Sequence, residues 1–140
     1  MTKDIKKIMI ALTGRNDESA VIEQAVFFAD KFDASLVAIH INDPHAGRMS
    51  MMMDSPGPKI SEDDIKNLFK RHGYENSLEN LEVRIIENER ISKTIAENAV
   101  DIDLLVLGHR RMSTFKANFM DSIDEGIANL SPCPVVVVQS

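Results

Sequence analysis

The sequence predicts an α/β domain built on a doubly wound parallel sheet, and two observations carry that prediction. Five short apolar runs alternate along the chain with four stretches of helical period, which is the signature of successive βαβ units. The last third shows one such unit whole. It reads Asp103-Leu104-Leu105-Val106-Leu107-Gly108, then a basic loop, Phe119 to Leu130 at helical spacing, Ser131-Pro132-Cys133-Pro134, and Val135-Val136-Val137-Val138. Continuous Leu/Val runs of this kind are expected of strands covered on both faces. An open parallel sheet holds its ligand beyond the carboxyl ends of its strands, so the segment from Gly108 to Ser122 is where function is sought.

Each element has its own signal. Ile5 to Leu12 reads as the first strand, and Thr13-Gly14-Arg15-Asn16 as a turn, with Asn16 or Asp17 placed to cap the following helix. Val21, Ala25, Phe28 and Phe32 recur every three or four residues and carry that helix to Phe32. Ser35 to Ile41 is the second strand. Asn42 to Ile60 contains Pro44, Gly47, Pro56, Gly57 and Pro58 and reads as a long loop. Ser61-Glu62-Asp63-Asp64 opens the second helix on a capping-box pattern; Ile65, Leu68 and Phe69 form its apolar stripe, and Gly73 stops it. Leu81 to Ile86 is the third strand, with Leu81, Val83 and Ile85 on one face. Ile91, Ile95 and Ala99 mark the third helix, Leu104 to Leu107 the fourth strand, and Phe119, Ile123, Ile127 and Leu130 the fourth helix. Pro132 ends that helix and Pro134 opens the fifth strand, where a missing amide is tolerated. No repeat or linker interrupts the chain, so residues 1–140 read as one domain.

Composition narrows the function. The net charge is −6, from 16 basic and 22 acidic residues. That disfavours general nucleic-acid binding, which needs a broad basic face, and it disfavours an anionic membrane surface. The longest apolar runs fall far short of the roughly 20 residues that span a bilayer. The start, Met1-Thr2-Lys3-Asp4-Ile5-Lys6-Lys7, lacks the apolar core of a signal peptide, and the single cysteine, Cys133, makes no internal disulfide. The cytoplasm is the expected compartment. The last strand, expected at a sheet edge, exposes Val135 to Val138 to self-pairing. The expected remedy is a two-fold homodimer through that strand; shielding by a neighbouring loop is the alternative.

Four pieces of the sequence, in order, resemble the universal stress protein family. They are Ile8-Met9-Ile10-Ala11-Leu12 followed by Thr13-Gly14, then Ala38-Ile39-His40-Ile41, then Asp103 to Gly108, and lastly Pro132-Cys133-Pro134-Val135-Val136-Val137-Val138. The resemblance spans the whole chain. It implies a small Rossmann-like fold of the adenine nucleotide alpha hydrolase type, with a five-stranded parallel sheet and about four helices on both faces. It also implies homodimers and a role in stress adaptation.

ATP-binding members of that family carry Gly, two residues, Gly, nine residues, then Gly and Ser or Thr. Here that spacing falls on Gly108, Arg111, Asp121 and Ser122, and Thr13 stands where the family has an acidic residue after the first strand. Glycines let backbone amides approach phosphate oxygens closely. Arg111 offers charge in place of an amide, while Asp121 opposes an anion. A carboxylate about 4 Å from a phosphate repels it by roughly 4 kcal/mol at an effective dielectric of 20, or about three powers of ten in affinity. Rotation of that side chain, a cation, or Arg110 or Arg111 would relieve some of this. ATP binding is therefore expected to be weak or lost, with a non-enzymatic role in binding or regulation. No cofactor is expected, ATP or AMP being the alternative occupant. Against this, Arg15, His109, Arg110, Arg111 and Lys116 form a basic cluster with no acid between Gly108 and Met120. It reads as a solvated loop paired with acids elsewhere, or as a site for a phosphate-bearing ligand or an acidic partner. The nucleotide or anion-binding candidates are thus Thr13, Gly14, Arg15, Gly108, His109, Arg110, Arg111, Asp121 and Ser122.

The remaining chemistry is sparse. His40, His45, His72 and His109 are scattered. His40 reads as a packed or hydrogen-bonded strand residue, and His45 near Asp43 is only a faint metal signal, without a zinc array. Met49 and Met51 to Met53 form a covering loop or an adaptable contact surface, with Cu(I) as a remote possibility. Cys133 reads as a core residue and Ser122 as a helix cap, and no catalytic relay is visible. Thr13-Gly14 does not complete a Walker A motif, and Thr13 takes the place a receiver domain would give to an acid.

Overall fold

The computed structural model describes residues 4–14, 18–45, 58–109 and 126–139. These form one five-stranded sheet of parallel pairs in the order β3-β2-β1-β4-β5. The elements in chain order are β1 (Lys7–Ala11), α1 (Ser19–Phe32), β2 (Ser35–Asn42), α2 (Glu62–Arg71), a 3-10 helix (Glu75–Asn80), β3 (Leu81–Glu87), α3 (Ile91–Glu97), β4 (Leu104–His109) and β5 (Val135–Gln139). Residues 126–130 are helical and precede β5.

Alternation along the strands divides the core. Ile8, Ile10, Leu36, Ala38, Leu104 and Val106 face α1 and α2, while Met9, Val37, Ile39, Leu105 and Leu107 face Ile95, Ala99, Ile102 and Ile127 on the other side. β1, β2 and β4 are thereby buried on both faces, as their apolar runs require. Leu81, Val83 and Ile85 pack together on the α1/α2 side, as the spacing predicts. At the amino edge Asp103 Oδ2 accepts from the amides of Lys6 and Lys7 at 2.9 and 3.0 Å, which ties the start of β1 to β4.

Helix ends follow local chemistry. Ser61 and Asp64 form the expected capping box: Asp64 N–H donates to Ser61 Oγ at 3.2 Å and Ser61 N–H donates to Asp64 Oδ2 at 2.8 Å. The hydrogen bond from the Ser61 backbone amide, and then that with its side chain, hold the Asp64 carboxyl below its ordinary range. Gly73, at φ +88°, lies just beyond the end of α2.

Several expectations are corrected. The α1 stripe is Val21, Ile22, Ala25, Val26 and Ala29; Phe28 is only half-buried and Phe32 is 46% exposed. Residue 18, not 16 or 17, is the N-cap of α1. Ile91 and Leu130 are exposed rather than core residues, and Ala99 is buried but lies beyond the end of α3. β2 runs one residue further than expected, to Asn42. β5 is the edge strand, as expected, but it is not buried on both faces: Val135, Val136 and Val138 are half-buried and Val137 is 45% exposed. The 3-10 helix has no apolar period, and none of its residues is buried.

Candidate functional site

In the order β3-β2-β1-β4-β5 the chain passes from β1 to β2 on one side and reaches β4 on the other. The boundary between β1 and β4 is the switch point, where the connections leave in opposite directions and open a crevice. Pairing of β1 with β4 ends at Ala11 and Leu107. Beyond it Gly108 and His109 pair only outward, with Val138 and Gln139 of β5. On the β1 side Leu12 N–H still donates to Ile39 O of β2 at 3.0 Å, and Thr13 and Gly14 then leave the ladder.

The amides of Thr13 and Gly14 go to one acceptor group. Thr13 N–H donates to Glu18 Oε2 at 2.8 Å, and Gly14 N–H donates to Glu18 Oε1 at 2.8 Å. Glu18 is 8% exposed. It stands at the N-cap of α1 yet makes no side-chain cap bond to that helix. Its carboxylate reaches back to the β1 loop instead.

Gly14 has φ +85°, and a Cβ on it would stand 2.9 Å from Ile60 Cγ1. Only glycine meets both conditions without strain. Ile60 is fixed from behind by Asn42, whose Nδ2–H donates to Ile60 O at 2.9 Å and whose Oδ1 accepts from Ile60 N–H at 3.0 Å. This pairing with one backbone unit leaves the amide a single orientation. Asn42 Oδ1 also lies 3.1 Å from His40 Nε2, and His40 Nδ1 lies 2.7 Å from Leu12 O. His40 and Asn42 are buried. A buried polar chain thus links the ends of β1 and β2 to the segment before α2, as such groups must be linked when water is excluded. Beside it a cavity of about 330 Å³ is lined by Asn42, Lys59, Ile60, Ser61, Ile85 and Glu87, with Lys59 Nζ 3.2 Å from Glu87 Oε1.

Gly108 has a different reason to be glycine. A Cβ there would stand 3.3 Å from Val21 Cβ, so the missing side chain lets α1 lie close against β4.

Of the residues the sequence singles out, Thr13, Gly14 and Gly108 therefore meet at the crevice. His109 is placed as the last residue of β4. Arg15, Arg110, Arg111, Lys116, Asp121, Ser122 and the Met49–Met53 segment lie outside the described residues. His40 is the hydrogen-bonded strand residue that was expected. Asp43 Oδ1 accepts from the backbone of His45 at 2.7 Å, closing a turn. Cys133 packs half-buried against the α3-side core, and its N–H donates to Ser131 Oγ at 3.2 Å. Among the described residues no three His, Cys, Asp or Glu side chains stand together as a metal site. Sequence reasoning missed Glu18, Asn42 and Ile60. Glu18 carries a visible signal, an acid just ahead of the helical period, but Asn16 and Asp17 are the residue types that capping favours.

The architecture is that of a Rossmann-like α/β domain with its crevice at the switch point. The sequence pattern of the universal stress protein family matches residues 4–139, and the chain belongs to that family. A putative universal stress protein of Staphylococcus saprophyticus is 27% identical over 96% of this chain and 84% of its own. Two solved structures share the fold. One is a universal stress protein in complex with cAMP, at TM-score 0.65 and 16% identity, covering 97% of this chain and 98% of that one. The other is the universal stress protein from Archaeoglobus fulgidus in complex with dAMP, at TM-score 0.59 and 15% identity, covering 97% and 99%.

Proposed function

We propose that this universal stress protein serves stress adaptation by binding or regulation, without catalysing a reaction, and that its affinity for ATP is weak or lost. The observation that carries the reading is the pair of substitutions in the glycine motif. By the family resemblance Arg111 and Asp121 fall at positions where ATP-binding members have glycine, and a carboxylate close to a polyphosphate would repel it. The protein acts in the cytoplasm as a two-fold dimer paired through β5; among the described residues no helix is long and apolar enough to cross a membrane. A protein partner engaging the basic loop fits the same reading.

A second reading is an ATP- or AMP-responsive sensor, or a slow ATPase, using the Gly108–Ser122 loop. The relatives solved with cAMP and dAMP favour it. Calorimetry with ATP and AMP on the wild type and on Asp121→Gly separates the two. The first reading expects no saturable wild-type binding at micromolar ATP and a gain in Asp121→Gly. Micromolar wild-type affinity would establish the second.

A further inference from the structure

We infer that Glu18 is the built-in occupant of an oxyanion-binding amide pair, and that it decides which ligands the β1 side of the crevice accepts. The inference rests on the reading of weak nucleotide binding and supplies a second, separate cause for it.

Two successive backbone N–H groups that converge beside a left-handed residue form a concave cradle for an anion. Thr13 and Gly14 make such a cradle, with Gly14 at φ +85°. They lie at the carboxyl end of β1, on the edge of the β1/β4 crevice, where a parallel sheet presents its donors to a ligand. Both donors are already taken, one by each carboxylate oxygen of Glu18, at 2.8 Å apiece. Leu12 N–H, the amide before them, remains in the ladder with Ile39 O. A phosphate oxygen arriving at Thr13 or Gly14 thus meets a filled cradle and a negative charge.

The arrangement differs from a side-chain helix cap: the Glu18 carbonyl accepts from Ile22 N–H at 3.1 Å as the first turn requires, but its carboxylate makes no cap bond to α1. It differs also from a surface latch. Glu18 is 8% exposed, and burying a carboxylate is costly unless hydrogen bonds satisfy it. Charge-assisted bonds to two amides do so. The carboxylate does here what a bound phosphate would do. The ligand class the β1 side admits is accordingly neutral or hydrogen-bond-donating, and an oxyanion enters only by displacing Glu18.

The test uses inorganic phosphate and ATP on the full-length wild type, Glu18→Gln and Glu18→Ala, with the amide resonances of Thr13 and Gly14 as the readout. In wild type, phosphate should leave both resonances unmoved. In Glu18→Ala it should shift both, and ATP should bind roughly tenfold tighter or more, the worth of one charge-assisted hydrogen bond. Glu18→Gln should fall between, because its amide keeps one acceptor and opposes the second N–H with a donor. Phosphate shifts at Thr13 and Gly14 in wild type would overturn the inference. So would a folded Glu18→Ala that binds phosphate no better, which would leave Glu18 a structural tie. Should Glu18→Ala fail to fold, the wild-type titration decides alone. Absolute wild-type ATP affinity tests the functional reading; these amide shifts, and the ratio between variants, test Glu18.

Discussion

Gly108 of β4 lies against Val21 of α1 so closely that a methyl group on the glycine would come within 3.3 Å of Val21 Cβ. Helix packing therefore favours glycine at position 108 whether or not any phosphate binds. Gly108→Val should destabilise the fold by about 1–3 kcal/mol, the usual cost of overpacking a filled core. Val21→Ala should recover part of that loss in a double-mutant cycle followed by urea unfolding. Equal losses with and without Val21→Ala would mean that the Val21 methyl groups carry none of the strain. Loss of ligand in Gly108→Val alone is accordingly no evidence of a phosphate contact.

Gly14→Ala meets two obstacles, the positive φ and the side chain of Ile60 2.9 Å from the new Cβ. The backbone part alone is worth about 1–2 kcal/mol. Combining Gly14→Ala with Ile60→Ala removes the contact and leaves the backbone term, so the pair should cost less than the sum of the single changes in equilibrium unfolding.

Asn42→Ala deprives Ile60 N–H and O of their partners and removes the oxygen that lies 3.1 Å from His40 Nε2. Each buried polar group so orphaned costs about 1–3 kcal/mol. Hydrogen exchange should quicken first at the Ile60 amide, and unchanged exchange there would mean that Asn42 does not hold this segment.

Arg84 reaches from β3 to the loop before β4. It bonds Glu82, the carbonyl of Asn98 at 2.7 Å and Asp101 Oδ2 at 2.9 Å, while Lys7 Nζ approaches Asp101 Oδ2 at 3.2 Å. The Arg84 hydrogen bond, chiefly, holds the Asp101 carboxyl well below the usual carboxylate range, and Asp101 in turn raises the Arg84 guanidinium. A depressed carboxyl stabilises the fold above its unfolded value, near 3.9, and that contribution fades as pH falls toward the folded value. Asp101 is 45% exposed, so solvent screens the pair and the effect is modest. Asp101→Asn should lower the urea midpoint at neutral pH, and the gap to wild type should narrow as pH drops below about 4. A gap that widens in acid would contradict this assignment.

β5 closes one side of the sheet as a hydrophobic edge, with Val137 45% exposed. A charge on such a strand opposes strand-to-strand association. Val137→Lys should shift the proposed dimer to monomer in sedimentation at a fixed concentration while leaving the circular dichroism spectrum unchanged. An unaltered sedimentation profile would move the interface away from β5.

Much of this architecture was written in local patterns. Leu104 to Leu107 is buried on both faces as its unbroken apolar run demands, and the Ser61/Asp64 box forms as spelled. β5 takes the sheet edge expected of it; only its unbroken Val run misled, by reading as covered on both faces. Phe32 and Leu130 misled because helical period marks a face without stating how far the core extends along it. In the crevice, Gly14 was legible as a turn residue. The Gly108 contact with Val21 is a tertiary fact that no spacing encodes. The chain Leu12–His40–Asn42–Ile60 joins residues 48 positions apart from end to end (60 − 12), and Glu18 turns away from its own helix, which capping preferences do not foresee.

The central claim is that this crevice does not retain a polyphosphate nucleotide. Native mass spectrometry of freshly purified protein tests it most directly. The account expects the mass of two chains with nothing added; one adenosine triphosphate held per chain would contradict it.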